Sequence, residues 1–191
     1  TPGFTVKPGY TSVSHSGYHN SILNFDNCRL HKSQVLGEED HGFDVANGWL
    51  GATRLSVAAM CLSRAERALG IATEWAATRK QCGESVGKFQ GVSFKLADMA
   101  TELKAAELLT MFAAWKDCTG EMTDSDAAMA KLKATEMLAM VSDEAIQILG
   151  GMGLMDELPL ERSWRDHRVE PIWDGTREIQ RHIISLSLIH N

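Results

Sequence analysis

The sequence lacks three features that would each indicate a class of protein. No apolar run approaches the ~20 residues that a membrane-spanning helix needs. Basic residues do not predominate, since the formal net charge is -6, which argues against a nucleic-acid-binding protein. No Cys-x-x-Cys pair or other short metal-ligand spacing occurs, so we predict no metal site and no disulfide framework, but four reduced thiols at Cys28, Cys61, Cys82 and Cys118.

The bulk composition is ordinary for a globular protein of one large domain, or of one domain plus part of another. The chain has 191 residues, of which 44% are hydrophobic and 23% are charged. It begins at Thr1 rather than at a methionine and shows no signal peptide. We therefore expect a fragment or a processed chain of a longer protein.

Residues 1–43 differ from the rest of the chain in composition and period. The stretches "FTVKPGYTSV" and "SILNFDNCRL" alternate apolar with polar residues, as half-buried strands do. Two strands are too few for a stable sheet domain. We predict that residues 1–43 are the C-terminal part of a β domain, which pairs with strands outside this chain or packs against the helices.

From Asp44 onward the apolar residues recur at helical spacing. Five helical segments are predicted: a long helix from Asp44 to about Lys80, a second through "GVSFKLADMATELKAAELLTMFAAWKDC" that Gly120 ends, a third from Asp124 to Leu149 with Asp124 or Ser125 as its cap, a short one at Leu160–Asp166, and a last one starting at Thr176. Three long helices and a shorter terminal one predict a mainly α fold, an antiparallel four-helix bundle over residues 44–191.

Four stretches do not look like core packing, although each has a structural explanation. "RKQCG" suits the C-terminus of a helix, where basic residues and glycine are favoured. "QILGGMG" exposes backbone amides, as a helix stop and turn also do. "ERSWRDHRV" mixes charges of both signs, which is typical of a salt-bridged surface or subunit contact. "IWDGT" places Asp174 and Thr176 where a helix N-cap belongs.

The last of these stretches also supports a catalytic hypothesis. Asp174 stands between Trp173 and Gly175, just before the final helix. A carboxylate at the mouth of an apolar pocket can act as a general base, and Trp173 would exclude water from it. Gly175 would let a flat ligand approach the backbone.

Taken in order, the motifs resemble those of the acyl-CoA dehydrogenase family. The resemblance rests on "ADMATELKAAELLTMFAAW", "AMAKLKATEMLAMVSDEAIQILGGMG", "ERSWRDHRV" and "IWDGTREIQR", which together cover nearly the whole helical region. "TPGF" and "NFDNCRLHKSQVLGEEDHGFDVA" resemble the end of that family's β middle domain. Agreement of all these pieces at the proper spacing is far more specific than any one of them.

The resemblance implies a longer, FAD-binding parent protein that desaturates an acyl-CoA between Cα and Cβ. In this family a carboxylate removes the α-proton while a hydride leaves Cβ for the flavin N5. Electrons then pass to an electron-transfer flavoprotein, and members assemble as homo-oligomers, usually tetramers, through the C-terminal helices. The compartment would be the cytoplasm in a bacterium and the mitochondrial matrix in a eukaryote.

The resemblance also implies roles for individual residues. Asp174 matches the position of the catalytic base, and Thr176 and Glu178 match contacts to the flavin of the same subunit. Matches to contacts with the FAD of a neighbouring subunit fall on Arg79, Gln81, Gln147, Gly150 and Gly151. Matches to substrate contacts fall on Arg54, Trp173 and Gly175.

The chain departs from the family pattern at the base itself, where Asp174 stands in place of the usual Glu. Asp is shorter by one methylene, roughly 1–1.5 Å of reach, and proton transfer wants heavy atoms about 2.6–3.2 Å apart. Trp173 replaces the usual Tyr, and together with the shorter base it favours a reshaped pocket for branched, alicyclic or bulky acyl groups. Gln81-Cys82 replaces the usual Thr-Phe or Ser-Phe at a position of the family's flavin contacts.

Two rival functions remain open at the level of sequence. Nitroalkane oxidases of the same superfamily use Asp as the base, and Asp174 with Arg181 seven residues later is compatible with that chemistry. A non-catalytic oligomerisation bundle is the second alternative.

Overall fold

The computed structural model describes residues 1–189, and these fall into two compact units that divide between Leu50 and Gly51. In the first unit, strand β1 (Phe4–Pro8) pairs with β2 (Ser21–Phe25) in an antiparallel ladder that matches Phe4 with Phe25. The two phenylalanine rings lie 5.1 Å apart. The two predicted strands are present, and both are exposed along nearly their whole length in this chain. That strands outside this chain bury one face of them stays a prediction. The predicted domain boundary after residue 43 stays a prediction.

The second unit contains the bundle. Its helices are α1 (Gly42–Thr78, which begins in the first unit), α2 (Gln90–Cys118), α3 (Asp124–Leu149), the short α4 (Leu160–Asp166) and α5 (Arg177–Ile189). The predicted mainly α bundle is confirmed, and the predicted bounds of α4 agree with the structure. None of the helices among residues 1–189 combines the length and the apolar character that crossing a membrane requires.

Helix α3 lies at the centre of this unit, where it packs against α2, α4 and α5. Alanines form much of the buried face that α1 contributes to the same core: Ala58, Ala65, Ala68, Ala72 and Ala76. Side chains this small let helices approach closely, so the polar side chains that α3 presents to the interior are tightly enclosed.

Two local details differ from the sequence predictions. The N-cap of α3 is Thr123, not Asp124 or Ser125: its hydroxyl accepts from the amide of Asp126, whose carboxylate accepts from the amide of Thr123. This is the reciprocal capping box. The stretch after α1 is a tight hairpin, with β3 (Lys80–Gln81) paired to β4 (Glu84–Ser85).

Candidate active site

The predicted base lies in a loop between the turn after α4 and the start of α5. Asp174 is half-buried, and its backbone φ of 51° lies in the left-handed region. Gly175 follows with a φ of 95°. A non-glycine residue in this region is uncommon, although Asp tolerates it better than most, and it persists where the surroundings enforce it.

Two buried side chains hold the carbonyl groups of this loop. The Lys131 ammonium, on α3, donates to the carbonyl oxygens of Trp173 at 2.5 Å and Gly175 at 2.6 Å. The Gln180 amide, on α5, donates to the carbonyl oxygens of Asp174 at 3.2 Å and Gly175 at 2.9 Å. Three consecutive carbonyls, at 173, 174 and 175, therefore point towards donors in the interior.

A buried carboxylate also supports the same loop. Glu170 is fully buried and accepts from the Trp173 indole Nε1 at 2.8 Å and from Arg64 Nη1 at 2.7 Å. A buried carboxylate is stable only when it is paired in this way. The Trp173 ring also packs against the hydrophobic core. Its position is therefore fixed both by the hydrogen bond to Glu170 and by apolar contacts.

Arg54 lies in the buried part of α1, with 4% of its surface exposed. Its Nη1 lies 3.5 Å from Asp124 Oδ1, and its Nε has no hydrogen-bond partner among the described residues. A buried guanidinium with spare donors suits a further anionic or carbonyl ligand. Both Arg54 and Asp174 lie close enough to Lys131 to act on the pKa of its ammonium.

The remaining predicted residues of this loop serve the start of α5. Thr176 accepts from the amide of Ile179 at 3.3 Å, so it caps the helix. Glu178 is exposed in the first turn, where hydrogen bonds from its own backbone amide and from Thr176 hold the pKa of its carboxyl below the usual value. Arg181 bonds to Glu136 Oε1 at 2.5 Å rather than to Asp174.

A second group of predicted residues lines one groove of about 580 Å³: Arg79, Gln81, Gln147, Gly150 and Gly151. The hairpin places Gln81 there, because Cys82 and Gly83 both adopt positive φ values of 54° and 85° and reverse the chain within two residues. The Arg79 guanidinium lies over the Trp75 ring, 5.7 Å from its centroid. Gly150 ends α3 with a φ of 61°.

The two groups of predicted residues lie at different levels of α3. Lys131, which holds the Asp174 loop, precedes Gln147 by 16 residues on this helix, and the helical rise of 1.5 Å per residue corresponds to about 24 Å. The groove and the loop are therefore separate regions of one chain.

Sequence reasoning missed the buried polar residues that support the loop. Lys131 and Gln180 occupy positions at which a helical apolar stripe predicts a hydrophobic residue, and Glu170 and Arg64 are far apart in the sequence. The one signal in the sequence for a buried polar residue was Lys131, a charged residue on the apolar face of "AMAKLKATEM".

The comparisons with known proteins agree with this architecture. The family model described as acyl-CoA dehydrogenase, C-terminal domain, matches residues 40–189. The mitochondrial short-chain specific acyl-CoA dehydrogenase of Homo sapiens is 40% identical over 191 residues, which are 100% of this chain and 46% of the human protein.

Solved structures give the same result. Butyryl-CoA dehydrogenase from Megasphaera elsdenii is 38% identical with a TM-score of 0.94, over 99% of this chain and 49% of that one. PigA, solved with FAD and proline, is 30% identical with a TM-score of 0.95, over 98% of this chain and 49% of that one. The chain spans about half the length of the relatives that it matches, and it belongs to the acyl-CoA dehydrogenase family.

Proposed function

We propose that the full-length protein containing this chain is an FAD-dependent acyl-CoA dehydrogenase in which Asp174 removes the α-proton of the thioester. The observation that supports this role is the enforced geometry of the loop. Asp174 is held half-buried at a φ of 51° by buried donors on two helices. Strained backbone of this kind is concentrated at functional sites.

The residues of the groove fit FAD. Arg79 offers a delocalised cation for a phosphate, and the side chains of Gln81 and Gln147 offer amide donors and acceptors. A Cβ added at Gly150 or Gly151 would meet no atom within 4 Å, so a ligand can approach the backbone there. Bound FAD would supply the acceptor for the hydride that leaves Cβ.

The separation of groove and loop favours FAD contacts from two subunits. Thr176 and Glu178, beside Asp174, would contact the flavin of their own subunit. The groove, about 24 Å away along α3, would contact the FAD of a neighbouring subunit. We propose a homo-oligomer on this ground, with an electron-transfer flavoprotein as the electron acceptor.

The substrate would enter beside Arg54, whose spare donors suit the CoA moiety, with Trp173 and Gly175 bordering the acyl group. Because the base is an Asp, the α-carbon must come closer to the loop than it would for a Glu. We propose that this favours branched, alicyclic or bulky acyl groups over straight chains.

Asp174→Asn tests the base in the full-length holoenzyme. Asn keeps the shape and tolerates the left-handed φ, but it cannot accept the α-proton. Turnover of a panel of acyl-CoA thioesters with an artificial dye should fall about 10²–10⁴-fold. Asp117→Ala, at an exposed site near the end of α2, is the matched control and should retain activity.

Undiminished turnover in Asp174→Asn would remove Asp174 from the mechanism. Oxygen consumption with a nitroalkane, without dye reduction by any acyl-CoA, would instead identify the oxidase chemistry. A purified full-length protein without a flavin absorbance band would favour the non-catalytic bundle.

A further inference from the structure

Lys131 is a buried cation that the expected chemistry does not use. We propose that Lys131 is a positioning residue for the proposed base: by donating to the carbonyls on either side of Asp174, it fixes the loop conformation on which proton abstraction depends. This inference rests on the proposed function of Asp174.

Lys131 joins the two residues that flank Asp174, and we call its two hydrogen bonds to their carbonyls the clamp. Lys131 Nζ lies within 2.6 Å of both the Trp173 and the Gly175 carbonyl oxygens, so one cation joins the residues that flank Asp174. Gln180 closes the same loop from α5 through the carbonyls of Asp174 and Gly175. With all three carbonyls held inward, the backbone that carries the Asp174 side chain has little freedom to move relative to the bundle.

Apolar packing alone does not account for a lysine here, whereas its hydrogen bonds to the two carbonyls do. Lys131 is 1% exposed, and burying an ammonium group costs free energy that a methionine of similar length would not. An ionised donor, however, makes hydrogen bonds about twice as strong as a neutral one. The charge is therefore best explained by a need to hold the loop more tightly than an apolar core would.

The surroundings make the clamp sensitive to pH. Burial lowers the pKa of Lys131 from 10.5 to about 8, and Arg54 lowers it too, while Asp174, Cys61 and Glu170 oppose the shift. Above about pH 8 the ammonium loses its proton and becomes a weaker donor. Turnover of the wild-type holoenzyme should therefore show an alkaline limb near pH 8.

Folding stability should respond to pH in the opposite direction to turnover, so the two contributions of Lys131 can be measured separately. Between about pH 8 and 10.5 the unfolded chain binds more protons than the folded one, so this group makes stability rise with pH. In Lys131→Met this contribution is absent. The difference between the wild-type and variant unfolding temperatures should therefore grow in favour of the wild type over that window.

Lys131→Met in the full-length holoenzyme is the main test. We expect kcat to fall about 10- to 100-fold, because a small displacement of a catalytic group has an effect of that size. KM should change little, and the alkaline limb near pH 8 should vanish. Lys131→Arg keeps the charge and should restore part of kcat with the limb moved to higher pH.

Lys133→Met is the matched control, since Lys133 lies two residues away on α3 but is half-buried and paired with Glu102 across the surface. It should leave kcat and the pH profile unchanged. If Lys131→Met lowers only the unfolding temperature while kcat and the profile match the wild type, the positioning role is wrong. Should that variant fail to fold, a wild-type profile without an alkaline limb near pH 8 would overturn the proposal equally.

A further measurement distinguishes failure of this inference from failure of the proposed function. Hydrogen exchange, expressed as a protection factor so that the intrinsic rise of exchange with pH is removed, reports the loop without any substrate. The Arg177 amide is the probe, because it donates to the Pro171 carbonyl oxygen at 3.0 Å. If no acyl-CoA is turned over but this protection factor falls above pH 8 in the wild type and is low at all pH values in Lys131→Met, the clamp stands and the dehydrogenase proposal fails. Protection factors that are equal in the two proteins and independent of pH would remove the clamp itself.

Discussion

At the scale of single residues, the loop is constrained most strictly at Gly175. Its φ is 95°, and a Cβ built there would lie 2.7 Å from Gln180 Nε2, the donor that closes the loop. Gly175→Ala should therefore combine backbone strain with displacement of Gln180 and lower the free energy of unfolding by about 1–3 kcal/mol.

Thermal or denaturant unfolding of the full-length protein measures this effect. Gly70→Ala, at an exposed and open position of α1, is the matched control. It should stabilise the protein by roughly 0.5–1 kcal/mol, because Ala favours a helix interior over Gly. Equal effects of the two substitutions would contradict the strain argued for Gly175.

The residues of this loop also show where sequence reasoning ends. Asp174 and Gly175 could be predicted as special, because a carboxylate and a glycine before a helix have recognisable roles. The partners that hold them could not, since Lys131 is 43 residues earlier and hydrophobic periodicity describes a face, not the polar atoms that meet within it. Only the folded chain brings those atoms together.

At the scale of secondary structure elements, the connection from α2 to α3 depends on Asp126. Burial raises the pKa of its carboxyl, but hydrogen bonds from Lys116 and Thr123 outweigh that effect and hold the pKa below 3.8. The stabilisation is full above about pH 4 and is lost as the pH falls through the lowered pKa. One side chain thus caps α3 and pairs with the last turns of α2.

Thr123→Ala should lower the free energy of unfolding by about 1 kcal/mol, because it removes the hydroxyl that accepts from the Asp126 amide. Thr123→Ser keeps that hydroxyl and is the control, with an expected loss close to zero. Chemical denaturation at neutral pH measures both. If the alanine variant is as stable as the serine variant, the cap contributes nothing.

Prediction of the elements themselves succeeded where one face is apolar over many turns. The lengths of α2 and α3 follow from helical periodicity and from the glycines at 120 and 150. The cap of α3 was misplaced by one or two residues because Thr123, Asp124 and Ser125 are all good caps, and only the direction of the Thr123 hydroxyl decides among them. The β3–β4 hairpin was missed because its strands are two residues long.

At the scale of the whole molecule, α2 presents an apolar stripe that the described part of this chain leaves exposed. Leu108, Met111, Phe112 and Trp115 recur at helical spacing, and between 51% and 63% of each remains accessible. Four large apolar side chains in one row exceed the scattered exposure that is normal for a protein surface. We expect this stripe to be covered by another copy in the proposed oligomer.

Met111→Glu should therefore convert the full-length protein to smaller species, because it places a charge at the centre of an apolar contact, where a lone carboxylate is strongly disfavoured. Thr73→Glu introduces the same charge at an exposed site of α1 and is the matched control. Sedimentation velocity of the two variants at equal concentration gives the comparison. If the groove of one subunit and the loop of another bind the same FAD, the Met111→Glu protein should also lose flavin in proportion to its dissociation. A dissociated protein that keeps its full flavin content would mean that the groove and the loop of one chain bind FAD without a neighbour.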